Sequence, residues 1–178
     1  MRFKSLLSLR ALPTIQAFNC KHGSGNEGQR MASPKPQAAT LASPDDIETQ
    51  FYEALQQGDI EKLMAVWADD DEIACVHPGG PRMIGAAAIR ASFETMFSNG
   101  CIDAHPEKIR RVASHTSAIH NLLERIQVMT DEGPRWGWVI ATNVYLKTAQ
   151  GWRMAAHHAS PGTPSEMQEA TAPASVLH

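Results

Sequence analysis

The chain has 178 residues, of which 43% are hydrophobic, and a formal net charge of −3 at pH 7. This length favours one domain with a sizeable core, and no apolar stretch approaches the ~20 residues of a membrane-spanning helix. Three widely spaced cysteines without a C-x-x-C pair argue against a disulfide framework or a cysteine zinc site, so we expect reduced thiols in a cytoplasmic protein.

Residues 1–40 differ in composition from the rest of the chain. They hold six of the sixteen basic residues and only one of the nineteen acidic residues, which leaves an acidic remainder. Such a remainder argues against nucleic acid as a partner. We expect a disordered leader over 1–40, with a start at Met31 or a targeting segment as alternatives. The domain is expected over 41–161, before a flexible tail at 162–178.

Two helices are expected to open the domain. Ser43 is a suitable N-cap, and an apolar stripe at helical spacing runs from there to Gly58, which ends the first helix. Asp59 then caps a second helix over 60–68. The acidic run 69–72 stops this helix and is interpreted as a solvated turn, because it lacks the spacing of a calcium loop.

One further helix and five strands are expected after this turn. A short strand ends at His77 before a Pro-Gly-Gly-Pro turn, and a helix follows over 85–100. The apolar period then changes to two, which predicts an antiparallel meander of four strands, roughly 101–113, 117–130, 135–147 and 152–160. This order predicts an α+β domain whose twisted sheet wraps around the helices as a cone, with one open end that suits a small molecule.

Three segments carry a family resemblance: FYEALQQGDIEKLMAVWADDDEIACVHPGG, GAAAIRASFETMF and GWRMAAHHASPG. They resemble the nuclear transport factor 2-like superfamily, which includes ketosteroid isomerases and SnoaL-like polyketide cyclases. The resemblance covers about residues 44–161 and implies a cystatin-like α+β barrel, in which a curved antiparallel sheet surrounds N-terminal helices. Because this fold hosts enzymes, binding modules and assembly domains, it leaves the function open.

The resemblance also implies a site. In the isomerases, an aspartate before a proline at the end of the first strand is the general base, and His77 takes that position here. The oxyanion-hole tyrosine falls near Phe51, with Tyr52 one residue away. The second oxyanion donor, an aspartate in the isomerases, falls near Asn143. Two of the three catalytic residues of the isomerases are therefore replaced by another residue type, and the tyrosine is displaced by one position.

Proton chemistry is still compatible with these residues. His77 can act as a general base near neutral pH, and Asn143 can donate to a developing enolate oxygen. If the last hairpin has a four-residue loop, His158 lies beside Asn143 on the inner face, whereas a one-residue slip would place His157 there. His77, Asn143 and His158 are therefore the catalytic candidates, with a purely structural role as the alternative for each. His120 is interpreted as an edge residue without a function.

The expected pocket is apolar and contains neither a metal nor a cofactor. Tyr52, Trp67, Cys75, Tyr145 and Met154 are the candidates for its wall. No H-x-x-x-H or H-E-x-x-H spacing supports a metal site. The expected ligand is a small apolar or carbonyl-containing molecule. The activity, if there is one, is that of an isomerase, cyclase or dehydratase, and a non-catalytic ligand-binding or assembly domain is the alternative.

The outer face of the third long strand predicts association. It carries Trp136, Trp138, Ile140, Val144 and Leu146. A face this apolar is unfavourable in water when helices cover only the opposite side of the sheet. We therefore expect a homodimer formed through this face.

Overall fold

The computed structural model describes residues 43–130 and 133–162, without the side chains of 128–130. The predictions for the leader 1–40 and for the tail beyond Gly162 lie outside these residues. The elements in chain order are α1 (Pro44–Gln57), α2 (Ile60–Ala65), β1 (Ala74–Val76), β2 (Arg82–Ile84), α3 (Ala86–Phe97), β3 (Ala104–Ala113), β4 (Ser117–Thr130), β5 (Gly133–Thr148) and β6 (Gly151–Pro161). Of the helices described, none has the length and apolar character needed to cross a membrane. The cytoplasmic location stays a prediction.

The ends of the first helices follow local chemistry. The Ser43 side chain accepts a hydrogen bond from the Asp46 amide, and Gly58 ends α1 in the left-handed conformation with φ 64°. Asp59 caps α2 in the same way as Ser43 caps α1. Helix α2 is shorter than expected because the chain leaves it to pair with β6. The Val66 carbonyl accepts from the Met154 amide, at 2.8 Å.

The α+β class and the four-stranded meander are confirmed. The sheet has six strands in the order β2-β1-β6-β5-β4-β3 and does not close into a barrel. Strand β1 runs parallel to β6, and Cys75 lies opposite His157. Strand β2, which the sequence analysis missed, pairs antiparallel with β1. Its three residues are too few to show an alternating pattern.

Helix α1 lies against the inner face of the sheet and forms the centre of the core. Ile47, Phe51 and Leu55, at helical spacing, are all buried. The Phe51 ring lies 5.2 Å from the His157 ring on β6 and 6.3 Å from the Phe93 ring on α3. One side chain of α1 therefore links the sheet to the third helix.

Two cysteines lie among the described residues, and they differ in state. Cys75 on β1 is a free, buried thiol. Cys101, in the segment between α3 and β3, is disulfide-bonded. The expectation of reduced thiols is therefore wrong for Cys101, because widely spaced cysteines give no pairing pattern that a single sequence reveals.

Truncation of Phe51 tests its central place in the core. We expect Phe51→Ala to lower the free energy of unfolding by about 3–5 kcal/mol, because the side chain is fully buried between two elements. Urea denaturation followed by circular dichroism measures this loss. Ile84→Ala, on the edge strand with 45% exposure, is the control and should cost less than about 1 kcal/mol. Equal losses in the two variants would contradict the assignment.

Candidate functional site

A small cavity of about 50 Å³ lies between α1, α3 and the inner face of the sheet. Most of its wall is apolar and includes Phe51, Leu55, Phe93, Met96, Ile126 and Val139. Three titratable side chains also line it: His77, Glu124 and His157. One water needs roughly 10–15 Å³ of such space, so the cavity can hold a few waters or one small organic molecule.

His77 follows β1 and lines the cavity at the Pro-Gly-Gly-Pro turn. Its carbonyl accepts from the Gly80 amide at 2.9 Å, which closes the turn. Its ring packs edge-on against Phe93, with 4.9 Å between the ring centres, and its Nε2 lies 4.0 Å from the Cys75 sulfur. Burial lowers the pKa of His77 to about 4, so the imidazole is neutral at pH 7 and binds a proton weakly.

A β-bulge decides which of the paired histidines faces inward. Lys147 pairs with Trp152 as the four-residue loop requires, but Val144 pairs with Ala156, so β6 carries one extra residue at Ala155. The extra residue reverses the alternation that follows it. His157 is consequently buried and lines the cavity, whereas His158 is exposed on the outer face. The prediction that His158 faces the cavity is therefore wrong.

Asn143 fixes the hydrogen bonding of His157. The two residues are cross-strand partners, and His157 Nδ1 donates to Asn143 Oδ1 at 2.7 Å. This bond leaves Nε2 of His157 as an acceptor. Burial lowers the pKa of His157 to about 3, which keeps the ring neutral. Asn143 is fully buried and does not line the cavity, so it positions His157 and has no direct access to a ligand there.

Glu124 on β4 is the titratable residue that the sequence analysis missed. Its carboxyl is buried, lines the cavity and accepts a hydrogen bond from the Tyr52 hydroxyl at 2.7 Å. Burial raises the pKa of Glu124 to about 7, and the Tyr52 hydrogen bond opposes this rise. The alternation of β4 held a usable signal, because Glu124 has the same inward parity as Leu122 and Ile126.

The five expected pocket residues lie on the inner side of the domain but not on the cavity wall. Tyr52, Trp67, Cys75, Tyr145 and Met154 are all buried, and none of them lines the cavity. The cavity lies near Glu124 and Val139, whereas Tyr145 and Met154 pair further along the same sheet. Burial raises the pKa of Cys75 to about 12, so that residue stays a thiol.

A second polar group lies under the start of α1. Glu48 Oε2 accepts hydrogen bonds from His120 Nδ1 at 2.9 Å and from the Tyr145 hydroxyl at 3.2 Å. All three side chains are buried. The interpretation of His120 as an edge residue is therefore wrong. Strand β4, which carries His120, lies between β3 and β5, so His120 is in the interior of the sheet.

Replacement of Glu124 tests its buried carboxyl through the pH dependence of stability. A folded-state pKa raised from 4.5 to about 7 makes the folded protein lose stability as the pH rises through that interval. We expect wild type to lose roughly 3 kcal/mol relative to Glu124→Gln between pH 5 and pH 8. Urea denaturation at the two pH values measures this difference. Glu72→Gln, in the exposed acidic turn, should follow wild type, and the same pH dependence in wild type and Glu124→Gln would contradict the raised pKa.

Comparison with known proteins gives a family and a fold. No curated protein matches the chain. The family model described as SnoaL-like domain matches residues 45–164. Among solved structures, a candidate calcium/calmodulin-dependent protein kinase type II association domain from Thiobacillus denitrificans is 35% identical, with a TM-score of 0.62, over 69% of this chain and 98% of that one.

Two further structures support the fold. A candidate dehydratase of the NTF2-like family from Streptomyces avermitilis is 29% identical, with a TM-score of 0.59, over 66% of this chain and 92% of that one. An NTF2-like protein with a cystatin-like fold from Novosphingobium aromaticivorans is 14% identical, with a TM-score of 0.55, over 67% of this chain and 81% of that one. With the family model matching most of the chain, the protein belongs to the SnoaL-like domain family and has the NTF2-like, cystatin-like fold.

Proposed function

We propose that the domain binds a small neutral molecule in its cavity and transfers a proton on it, with Glu124 as the acid–base group. The observation that carries this proposal is a buried carboxyl with a pKa of about 7, facing the same cavity as two neutral imidazoles. A general acid–base group is most effective when its pKa lies near the working pH. This arrangement supports an isomerase or dehydratase activity next to a carbonyl group.

The lining of the cavity favours an uncharged ligand. No lysine or arginine is among the side chains described as lining it. A carboxylate or phosphate would therefore lose its hydration without gaining a counter-charge, which is costly. A neutral ketone or hydroxyketone fits this wall better.

The remaining polar groups take supporting roles in the proposal. Tyr52 donates to Glu124 and fixes the orientation of its carboxyl. His157, held by Asn143, offers Nε2 as an acceptor for a substrate hydroxyl. His77, the base expected from the sequence, has a pKa of about 4 and is less suited to hold an abstracted proton than Glu124. We therefore assign His77 to hydrogen bonding with the substrate oxygen.

Hydrogen–deuterium exchange on small ketones tests the proposal. Acetone and cyclopentanone are suitable probes because the cavity is small. Proton NMR in D₂O should show that wild type accelerates loss of the α-proton signals, with a rate that rises with pH through about 7 as Glu124 ionises. Glu124→Gln should lower this acceleration by about 100-fold or more, because it removes the proton acceptor.

Two histidine variants provide the controls. His158→Gln changes an exposed neighbour of His157 and should leave exchange unchanged, whereas His157→Gln should reduce it. Full exchange in Glu124→Gln together with its loss in His77→Gln would instead assign the proton transfer to His77. The absence of any acceleration by wild type would contradict the enzymatic proposal.

Assembly is the second candidate function, and the outer face of the sheet favours it. Trp136 and Leu146 are 47% and 42% exposed, and Trp138, Ile140 and Val144 lie between them on the same face. Large exposed apolar surfaces mark association sites in soluble proteins. The relative from Thiobacillus denitrificans is described as an association domain. We therefore propose a homodimer formed through this face.

A charge on this face should disrupt the dimer. Trp138→Glu is expected to give monomers in light scattering at micromolar concentrations where wild type is dimeric, because a carboxylate buried in an apolar contact loses its hydration. Ala87→Glu, on the exposed side of α3, is the matched control and should remain dimeric. A wild-type protein that is monomeric at these concentrations would rule out the proposal.

A further inference from the structure

A cluster of metal-ligating side chains lies at the first turn of α1, outside the cavity. Asp45 and Glu48 are three residues apart on α1 and so lie on the same side of the helix, and His120 faces them from β4. One candidate ligand atom from each residue lies within 4.8 Å of those of the other two. None of the three lines the cavity, so this cluster is separate from the proposed proton-transfer site.

The hydrogen bonds within the cluster engage one of the two oxygens of Glu48. Glu48 and His120 are 3% and 2% exposed, and both hydrogen bonds to Glu48 fall on the same oxygen, Oε2. His120 Nδ1 lies 2.9 Å from that oxygen. This contact is a hydrogen bond, so an ion would displace the Nδ1 proton. The ligand atoms, which lie within 4.8 Å of one another, would move toward the ~3.3 Å between two ligands of a tetrahedral ion with bonds of about 2.0 Å. Asp45 is exposed and gives an ion access from solvent.

The amide of Asn143 provides an independent observation. Its Nδ2 is buried and has no hydrogen-bond partner in the described part of the chain. Its Oδ1 accepts from His157 on β6, its side chain also lies against the Tyr52 and Tyr145 hydroxyls, and its cross-strand neighbour on β4 is His120. A buried donor without an acceptor costs about 1–3 kcal/mol. A water or hydroxide bound to a metal ion beside His120 would supply the missing acceptor.

We propose that Asp45, Glu48 and His120 bind one divalent transition-metal ion, which keeps a water ligand on the side of Asn143. The imidazole nitrogen favours Zn²⁺ and its neighbours over Mg²⁺ or Ca²⁺, which prefer oxygen ligands. Three protein ligands plus a water are also typical of catalytic zinc sites. Arg111 donates to Oδ1 of Asp45 at 2.7 Å and so holds this carboxylate at the start of α1.

Calorimetric titration of tag-free protein with ZnCl₂ tests the site. We expect one Zn²⁺ ion per chain and no comparable heat from MgCl₂ or CaCl₂. Asp45→Asn and His120→Gln should each weaken Zn²⁺ binding by at least about tenfold, since even residues that only support metal ligands contribute this much. Replacement of Zn²⁺ by Co²⁺ should give a visible absorption band that is lost in His120→Gln.

The matched control is another histidine–carboxylate pair. His105 Nε2 lies 2.7 Å from the Asp103 carboxylate at a more exposed position, and His105→Gln should leave Zn²⁺ binding unchanged. Circular dichroism establishes whether His120→Gln folds. If it does not, Asp45→Asn decides the matter, because Asp45 is exposed. No Zn²⁺ binding to wild type, or binding that Asp45→Asn leaves intact, would overturn the proposal.

Discussion

Two carboxyl groups are buried between α1 and the sheet, and the need to keep both hydrogen-bonded constrains the rest of the domain. Tyr52 on α1 donates to Glu124 on β4, and Tyr145 on β5 donates to Glu48 on α1. Helix α1 therefore donates one hydrogen bond to the sheet through Tyr52 and accepts another through Glu48. Together the two bonds fix the rotation of the helix and its position along the sheet. A carboxyl left without a partner in this layer would cost several kcal/mol, which makes other placements of α1 unfavourable.

The same layer determines the chemistry of the cavity. Because Tyr52 is one residue from Phe51, the helix turn that supplies the apolar wall also supplies the donor to Glu124. Burial raises the pKa of the acid and lowers the pKa of both cavity imidazoles, so at neutral pH the titrating group in this space is Glu124. One physical cause, loss of hydration, thus separates one acid–base group from two neutral hydrogen-bonding groups.

Local sequence signals predicted most of the fold but less of the site. Capping at Ser43 and Asp59 and the period of two after Cys101 depend on neighbouring residues alone, and the structure bears them out. The bulge at Ala155 depends on pairing between strands, and the run of small residues and histidines around it fits either register. The choice between His157 and His158 therefore required the structure. Glu124 was missed for a different reason, since an acidic residue in a strand is usually assigned to the solvated face.

The parallel pairing of β1 with β6 attaches the part of the cavity wall that α3 carries, and it is independent of the hydrogen bonds that hold α1. β1 contributes only three residues to this edge, and it leads through β2 to α3, which carries Phe93. The hydrogen bonds that fix α1 involve none of these elements. Substitutions in α3 or in the turn after His77 can therefore change the size and shape of the ligand space while the helix–sheet layer stays intact. Within this architecture, the ligand space can be reshaped without moving the helix that donates to Glu124.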